Sequence, residues 1–393
     1  MPCTGNGDER RRQVMAFQMI SGSQAAATAV QRVGVDLVAA YPITPQTAIV
    51  EALADFSAKG ELGGEFVSVE SEYAALACCN GAAATGARVF TATASHGLAY
   101  MHEMIHWCSG ARFPIVMVNV NRTIGAPWCL DPDQGDSLSQ RDTGWLQLYC
   151  ANAQEVFDMV IQAFIIAEEL LLPCMVVFDG FYISHTYEAV DVADADQVRK
   201  LVGPPAFAPQ VIPGQPGNLH GLSTGETHLK LVKDRHQTML RLPVLFNKIN
   251  KAFAKQFGRS YNILETQIPS GAKRAIVAAG ATAETVRWAL PVLADTGLIQ
   301  LRVFRPFPAA EIRQVIEENE LTELLVVDRN CSVGMGGIFA QELRSALYEL
   351  PKPPQVRSLI LAGGVDLTEQ MLVDLLQTTG NEENFALRWG DEF

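Results

Sequence analysis

Residues 67–94 constrain the fold of this chain most strongly, because they read as a strand, a helix and a second strand in close succession. The first strand ends at two carboxylates, Glu70 and Glu72, and an Ala- and Gly-rich helix follows, with Gly86 as its expected C-terminal cap. The second strand is expected at 88–93. Open parallel sheets bind ligands at the carboxyl ends of their strands, so both acids stand where a site would form. A simpler interpretation is that they only stabilise the N-terminus of the helix.

The rest of the chain repeats this alternation, which predicts an α/β fold with parallel sheets covered by helices on both faces. In the first half, helices are expected at 22–33, up to 58, 98–109 and 153–171, and strands at 35–41, 65–69, 88–93, 114–120 and 174–179. After a Pro-rich stretch at 203–218 and a helix at about 226–257, further strands are expected at 274–279, 298–304, 324–328 and 355–362. The predicted organisation is a flexible arm at 1–15, a parallel-sheet domain at 16–200, a linker and connecting helix at 201–269, and a second α/β domain at 270–393.

Charge and composition exclude several classes of function. The net charge of −13 opposes binding to nucleic acid or to anionic membranes. No apolar run is long enough to span a membrane, and the N-terminal arginines are not followed by the apolar segment of a secretory signal. The eight cysteines form no Cys-x-x-Cys pair and no metal-binding spacing. We therefore expect a cytoplasmic protein with reduced thiols and with no metal or iron–sulfur cluster bound by this chain itself.

Four sequence features together resemble one protein family. They are the turn Tyr41-Pro42-Ile43-Thr44-Pro45, the helix entry Glu70-Ser71-Glu72, Arg122, and the segment Arg141-Asp142-Thr143-Gly144-Trp145. In this order and at these separations they resemble the α subunit of the pyruvate:ferredoxin oxidoreductase family, the 2-oxoacid:acceptor oxidoreductases that include phenylglyoxylate-type enzymes. The resemblance covers the whole chain. It implies that the first domain is a pyrimidine-binding domain of the thiamine diphosphate type, and that the second is a transketolase C-terminal-like domain.

The resemblance implies thiamine diphosphate as cofactor, shared with a partner subunit. Glu72 matches the family's catalytic glutamate, a buried carboxylate that hydrogen-bonds the aminopyrimidine ring and promotes loss of the proton from thiazolium C2. Glu70 is the less favoured acid. The other positions that the motifs imply as cofactor contacts are Tyr41, Pro42, Ile43, Ser95 and Gly97.

Three further residues are implied in substrate binding. Arg122 follows a predicted strand, and its planar guanidinium can hold the carboxylate of a 2-oxoacid through a bidentate pair. A surface-loop arginine is the alternative. Thr44 matches the family's substrate-bonding threonine, against the alternative of a simple turn residue between two prolines. Trp128 is expected in the wall that contacts the substrate side chain.

The long polar segment 121–145 breaks the strand–helix alternation, and we expect it to be a functional loop. Within it, we interpret Asp136 and Arg141 as a pair that organises the loop. His96 lies inside the Ser-x-Gly turn that includes Ser95 and Gly97, and we interpret it as a structural histidine at a helix start.

The sequence lacks the Gly-Asp-Gly segment with which the family holds Mg²⁺ and the cofactor's diphosphate. Gly334-Met335-Gly336-Gly337 is an incomplete dinucleotide pattern, which we interpret as a tight turn. The resemblance therefore implies half an active site. A β-type subunit would supply the Mg²⁺–diphosphate half and a [4Fe-4S] cluster. A γ-type subunit and a ferredoxin-like iron–sulfur subunit would complete the complex, with an NAD- or flavin-binding subunit where the electrons pass to NAD.

The implied reaction is the coenzyme A-dependent oxidative decarboxylation of a 2-oxoacid to an acyl-CoA, carbon dioxide and reduced ferredoxin or NADH. Pyruvate is one candidate substrate. Residues 128–135 depart from the pyruvate-type pattern, which leaves room for an aromatic 2-oxoacid such as phenylglyoxylate. Two alternatives stay open at this point: a transketolase-like carboligase subunit, which needs no electron acceptor, and a non-catalytic scaffold, against which the presence of Glu72 argues.

Overall fold

The computed structural model describes residues 17–212, 214–216, 219–377 and 387–392, so the predicted arm at 1–15 lies outside the described residues. The chain alternates between strand and helix, which confirms the predicted α/β class. The strands are β1 (Phe17–Ser21), β2 (Leu37–Ala40), β3 (Glu65–Ser68), β4 (Val89–Thr93), β5 (Val116–Asn121), β6 (Leu146–Tyr149), β7 (Cys174–Asp179), β8 (Tyr187–Asp191), β9 (Leu264–Gln267), β10 (Arg274–Ala278), β11 (Thr296–Leu301), β12 (Val303–Arg305), β13 (Glu323–Asp328), β14 (Gln355–Ile360) and β15 (Leu387–Trp389). The helices are α1 (Gly22–Val33), α2 (Thr47–Ala58), α3 (Glu72–Ala84), α4 (Ser95–Tyr100), α5 (His102–Ala111), α6 (Gly135–Leu138), α7 (Ala153–Leu170), α8 (Ala195–Val202), α9 (Gly225–Met239), α10 (Leu242–Phe257), α11 (Ala281–Ala289), α12 (Ala309–Asn319), α13 (Ile338–Leu347) and α14 (Glu369–Gln377).

The first sheet has seven strands, in the order β12-β6-β7-β5-β4-β2-β3. Neighbouring strands are parallel, except that β12 runs antiparallel to β6. Strands β4, β5 and β7 are buried along their whole length, which is why they read as near-continuous apolar runs in the sequence. This order brings the carboxyl ends of β5, β4, β2 and β3 side by side.

The second sheet has six strands, in the order β15-β14-β13-β10-β11-β9, and all neighbours are parallel except β11 and β9. The predicted strand at 298–304 is divided between the two sheets. Strand β11 stays in the second sheet, whereas β12 crosses over and pairs with β6 in the first. The second half of the chain therefore completes the sheet built by the first half.

Several local predictions differ from the structure. The predicted helix at 98–109 is two helices, α4 and α5, which meet at Met101. Leu98, Met101 and Ile105 are all buried at helical spacing across this junction, so apolar periodicity alone does not reveal it. The predicted helix at 226–257 also divides, into α9 and α10, with a proline in the first turn of α10, where its missing N–H is harmless. Gly86 lies one residue beyond the cap of α3, with φ of +88°.

Short elements with weak sequence signals were not predicted. Strands β1 and β8 form a separate antiparallel ribbon, and β6, β9, β15, α6, α8 and α14 were also not predicted. Within the described ranges, the cysteines are free thiols, and no helix is both long and apolar enough to cross a membrane.

Arg302 holds the crossing between the two sheets. Its side chain is 1% exposed, and its Nη2 donates to Oε1 of Glu155 at 2.7 Å. Glu155, in the first turn of α7, also accepts from the backbone N–H of Ala151 at 2.9 Å and from Nε2 of Gln300 at 3.2 Å. A charge that is buried in this way is tolerable only while its partner and its hydrogen bonds remain.

We expect Arg302→Met to lower the free energy of unfolding by about 3–5 kcal/mol, because Glu155 is left as an unpaired buried charge. Urea denaturation of the purified chain measures this. The matched control is Lys230→Met, which removes a pair with Glu226 whose side chains are 74% and 78% exposed; its cost should stay below about 1 kcal/mol. Equal losses in the two variants would contradict the account of the crossing.

Candidate active site

The predicted site residues meet at one edge of the first sheet. Strand β2 is followed by the turn 41–46, β3 by Glu72, β4 by Ser95 and β5 by Arg122. Because these four parallel strands are neighbours, the groups that follow them share the carboxyl edge, where open α/β sheets bind ligands.

Gln46 holds the turn after β2, and sequence reasoning missed it. Its buried side chain accepts the N–H of Ile43 at 3.2 Å and donates to the C=O of Ala92 in β4 at 2.8 Å. The turn is therefore fixed to the neighbouring strand. Its residues that are exposed at this edge are Tyr41, Pro42 and Thr44.

The carboxylate of Glu72 packs closely against Gly97 at the carboxyl edge of the first sheet. The hydroxyl of Ser71 caps α3, which makes Glu72 the first helical residue. Glu72 is 9% exposed, whereas Glu70 is on the surface, so burial distinguishes the two acids. A Cβ atom on residue 97 would lie 2.7 Å from Oε1 of Glu72 and 2.6 Å from Oγ1 of Thr93. Only glycine leaves this space open.

Thr93 contributes a second polar atom beside Gly97. Its Oγ1 is buried and has no hydrogen-bond partner among the described residues. An unpaired buried hydroxyl is costly unless a ligand or water completes it. Thr93 stands in a buried strand where threonine is common, so the sequence carried no signal for this position.

Asp136 fixes the loop 121–145 against the strand ends. It is buried, and its carboxylate accepts N–H groups from the ends of two strands and from its own helix. The donors are the backbone of Ser95 (2.9 Å), Nδ2 of Asn119 (3.0 Å), Nδ2 of Asn121, the backbone of Arg122 (3.3 Å) and the backbone of Ser137 (2.7 Å). The two asparagines interrupt the otherwise apolar strand β5, which is the sequence signal that could have revealed this network.

The predicted pairing of Asp136 with Arg141 is wrong. The guanidinium of Arg141 instead donates to the C=O of Leu138 and lies 3.8 Å from the carboxylate of Glu342. Asp136 is already surrounded by N–H donors, so it has no need of a cation. Burial raises the pKa of Asp136 to about 6, and the hydrogen bonds offset that effect only in part.

Arg122 lies beside this network and is 5% exposed. Its Nη1 donates to the C=O of Thr44 at 2.6 Å, and its Nη2 lies 2.9 Å from Nδ1 of His96. Its Nε is buried without a partner among the described residues. Burial lowers the pKa of Arg122, and the negative charges of Asp136 and Glu72 act in the opposite direction.

Trp128 and His96 form the outer side of the site. Trp128 is 54% exposed, and the Arg122 guanidinium lies 4.9 Å from the centre of its ring. The His96 ring meets the indole edge-on at 6.1 Å, and the N–H of Gly125 points to Nε2 of His96 at 3.1 Å. His96 does stand at the start of α4 as predicted, but its ring belongs to the site, which the sequence analysis did not anticipate.

The arrangement offers the buried carboxylate of Glu72 for proton transfer and the guanidinium of Arg122 for binding an anionic ligand. In the part of the chain that the structure describes, no cluster of His, Cys, Asp and Glu could hold a metal ion.

Two families of known proteins match the chain. Residues 28–251 match the family described as pyruvate flavodoxin/ferredoxin oxidoreductase, thiamine diphosphate-binding. Residues 272–372 match the family described as pyruvate:ferredoxin oxidoreductase core domain II. The first match alone covers more than half of the chain.

Individual relatives match over most of their length. The chain is 40% identical to ketoisovalerate oxidoreductase subunit VorA of Pyrococcus horikoshii over 363 residues, which covers 89% of this chain and 90% of the relative. It is 37% identical to pyruvate synthase subunit PorA of Methanocaldococcus jannaschii over 385 residues, which covers 95% and 97%.

Two solved structures share the fold. One is a 2-oxoglutarate:ferredoxin oxidoreductase from Magnetococcus marinus, with a TM-score of 0.70 at 21% identity; the match covers 92% of this chain but only 65% of that one. The other is a split-gene transketolase, with a TM-score of 0.55 at 12% identity over 91% of this chain and 97% of that one.

The raised pKa of Asp136 predicts how stability depends on pH. Because its pKa is raised, the carboxyl group of Asp136 binds a proton more tightly in the folded state than in the unfolded chain. The stability that Asp136 contributes is therefore fully present below its ordinary pKa of 3.8 and is lost as the pH rises through about 6. Asp136→Asn removes this titration. The stability of the native chain relative to the variant should therefore fall between pH 4 and pH 6.5, by on the order of 3 kcal/mol. Urea denaturation at several pH values measures the difference. If the native chain instead gained on the variant as the pH rose, the N–H donors would outweigh burial and our account would be wrong.

Proposed function

Since this chain belongs to the pyruvate:ferredoxin oxidoreductase family, we propose that it is the α subunit that carries the acid–base half of a shared thiamine diphosphate site. The observation that carries the proposal is the buried carboxylate of Glu72 at the carboxyl edge of the first sheet, packed directly against Gly97. The overall reaction is the coenzyme A-dependent oxidative decarboxylation of a 2-oxoacid, with a ferredoxin as electron acceptor or, through a further subunit, NAD.

The polar atoms of Glu72 and Thr93 beside Gly97 fit an aminopyrimidine ring. Such a ring presents hydrogen-bonding groups along its edge and apolar faces, and it would bring a partner to the unpaired Oγ1 of Thr93. The carboxylate of Glu72 would accept a hydrogen bond from the protonated ring nitrogen. The turn with Tyr41, Pro42 and Ile43, together with Ser95, would line the remainder of the pocket.

When bound, thiamine diphosphate supplies the nucleophilic carbon that adds to the 2-oxo group and holds the electrons released on decarboxylation. The role of Glu72 is to stabilise the protonated ring nitrogen, which promotes proton loss at the reacting carbon. A neutral side chain cannot do this. The close contact with Gly97 and Thr93 fixes the position of the Glu72 carboxylate.

Arg122 would bind the carboxylate of the substrate. Its Nε–H lacks an acceptor among the described residues, and the negative charge of Glu72 acts on its guanidinium. The hydrogen bond from Nη1 to the C=O of Thr44 orients the guanidinium. Thr44 itself, exposed at the same edge, would complete the carboxylate site through its hydroxyl.

Trp128 would contact the side chain of the substrate. The relatives act by name on pyruvate and on ketoisovalerate, two 2-oxoacids that differ in side-chain size. The half-exposed indole of Trp128, next to Arg122, is well placed to discriminate between substrate side chains of different size. An aromatic 2-oxoacid such as phenylglyoxylate is a further candidate substrate.

Partner subunits would supply what the chain lacks. The sequence contains no Gly-Asp-Gly segment for Mg²⁺ and the diphosphate. We assign this half, with a [4Fe-4S] cluster, to a β-type subunit, and the remaining electron path to γ-type and ferredoxin-like subunits in a cytoplasmic complex.

In the assembled complex, Glu72→Gln should abolish turnover, because a neutral amide cannot stabilise the protonated ring, whereas Glu70→Gln on the surface is the control that should retain most of it. The diagnostic measurement is the exchange of the thiazolium C2 proton, followed by NMR after acid quench. Equal losses of exchange in both variants would mean that the wrong carboxylate has been assigned.

Arg122→Lys should lower kcat/KM by about tenfold to a hundredfold. An ammonium cannot reproduce the paired N–H donors of the guanidinium, and the loss of one charge-assisted hydrogen bond costs about 1.5–3 kcal/mol. The loss should be the same for every 2-oxoacid, since all share the carboxylate. Trp128→Leu should instead change the ranking of substrates. A panel of pyruvate, 2-oxoisovalerate and phenylglyoxylate separates the two effects. A change of ranking in Arg122→Lys with the best rate intact would place Arg122 in the side-chain wall.

A further inference from the structure

His96 is approached by two donors that it cannot satisfy together. Arg122 Nη2 lies 2.9 Å from Nδ1 of the imidazole, and the N–H of Gly125 lies 3.1 Å from Nε2. Both groups can only donate. A neutral imidazole has one acceptor nitrogen, and its other nitrogen carries a proton. In any one neutral tautomer, therefore, His96 can accept a hydrogen bond either from Arg122 or from Gly125, but not from both.

Ser95 does not compete for the imidazole as a donor. Its hydroxyl lies 3.3 Å from Nδ1 of His96, but it donates its single hydrogen to the C=O of Thr123. Its lone pairs remain free to accept. When the proton of His96 is on Nδ1, it therefore has an acceptor in Ser95, and Nε2 can accept from Gly125. When the proton is on Nε2, Nδ1 accepts from Arg122.

The two partners of His96 belong to different parts of the site. Arg122 is the proposed carboxylate anchor. Gly125 belongs to a short loop that carries Trp128 and is closed on itself by contacts between Thr123 and Cys129: the Thr123 hydroxyl donates to the C=O of Cys129 at 2.5 Å and accepts its N–H at 3.1 Å. One imidazole thus touches both the group that would bind the substrate's carboxylate and the loop that would contact its side chain.

We propose that His96 is a positioning residue that exchanges these two partners when the substrate binds. The inference rests on the proposed function, because it takes Arg122 as the carboxylate anchor. Before binding, Nδ1 holds Nη2 of Arg122. Once the substrate carboxylate accepts from the guanidinium, His96 releases its Nε2 proton to water and takes one from water at Nδ1, so the imidazole stays neutral. Nε2 then accepts the N–H of Gly125 and fixes the Trp128 loop over the bound substrate.

Two isosteric variants separate the two contacts. In His96→Asn the side-chain oxygen can occupy the place of Nδ1, which keeps an acceptor for Arg122 and removes the one for Gly125. In His96→Gln the longer side chain can place its oxygen near Nε2, which keeps an acceptor for Gly125 and removes the one for Arg122. His96→Ala removes both.

The experiment measures kcat and KM for pyruvate and 2-oxoisovalerate in the assembled complex of each variant. We expect His96→Asn to lower kcat/KM for 2-oxoisovalerate about fivefold relative to pyruvate, the loss of one neutral hydrogen bond to the loop. We expect His96→Gln to raise kcat/KM for both substrates about fivefold in the same proportion and mainly by lowering KM, because the contact from Nδ1 to Arg122 is made only before binding and its loss no longer opposes release of the guanidinium to the substrate. His96→Ala should combine both effects.

If His96→Asn and His96→Gln behaved alike, His96 would be a simple spacer and the exchange would be overturned. Arg122→Lys, assayed on the same panel, reports separately on the proposed function. If Arg122→Lys lowers kcat/KM equally for all substrates but the two His96 variants do not differ, only the exchange is rejected. If Arg122→Lys leaves kcat/KM unchanged, Arg122 is not the anchor, and both the proposed function of Arg122 and the exchange are rejected.

Discussion

The carboxylate of Asp136 is the interaction on which the site depends. It collects N–H donors from the end of β4 at Ser95, from β5 at Asn119 and Asn121, and from the backbone of Arg122. Beyond the pairing of β4 with β5 in the sheet, this buried group joins the ends of the two strands to the loop 121–145. Its position sets the direction in which the chain leaves β4 and β5, and with it the places of Gly97 and of the Arg122 guanidinium. A neutral apolar residue could fill the same volume but would leave several buried N–H groups unpaired.

A second constraint joins the two halves of the chain. Strand β12 leaves the second sheet after Arg302 and pairs with β6, while Gln134, in the loop that carries Trp128, donates its backbone N–H to the C=O of Arg329 at 2.8 Å. The loop is therefore held between the carboxyl edges of both sheets. A site at this edge is shaped by both halves, although its proposed acid–base group comes from the first alone.

Much of this architecture could be predicted, because its signals are local. Alternating apolar strands and helices fix the fold class, and Glu72 follows directly from a serine cap and the first turn of a helix. Thr93 and Gln46 could not be predicted, since their roles arise from contacts with residues distant in sequence. The pairing of Asp136 with Arg141 failed for a related reason: proximity of opposite charges in sequence says nothing about the N–H groups that reach the carboxylate first. The split at Arg302 was missed because apolar residues stand on both sides of it, at Leu301 and Val303.

The central claim is that this chain holds only one half of a thiamine diphosphate site. Isothermal titration calorimetry with thiamine diphosphate and Mg²⁺ tests it most directly, first on the purified chain and then on the chain mixed with a partner that bears a Gly-Asp-Gly segment. We expect no measurable binding by the chain alone and micromolar or tighter binding by the mixture, because the diphosphate and its metal ion need the partner's ligands. Micromolar binding by the isolated chain would contradict the claim.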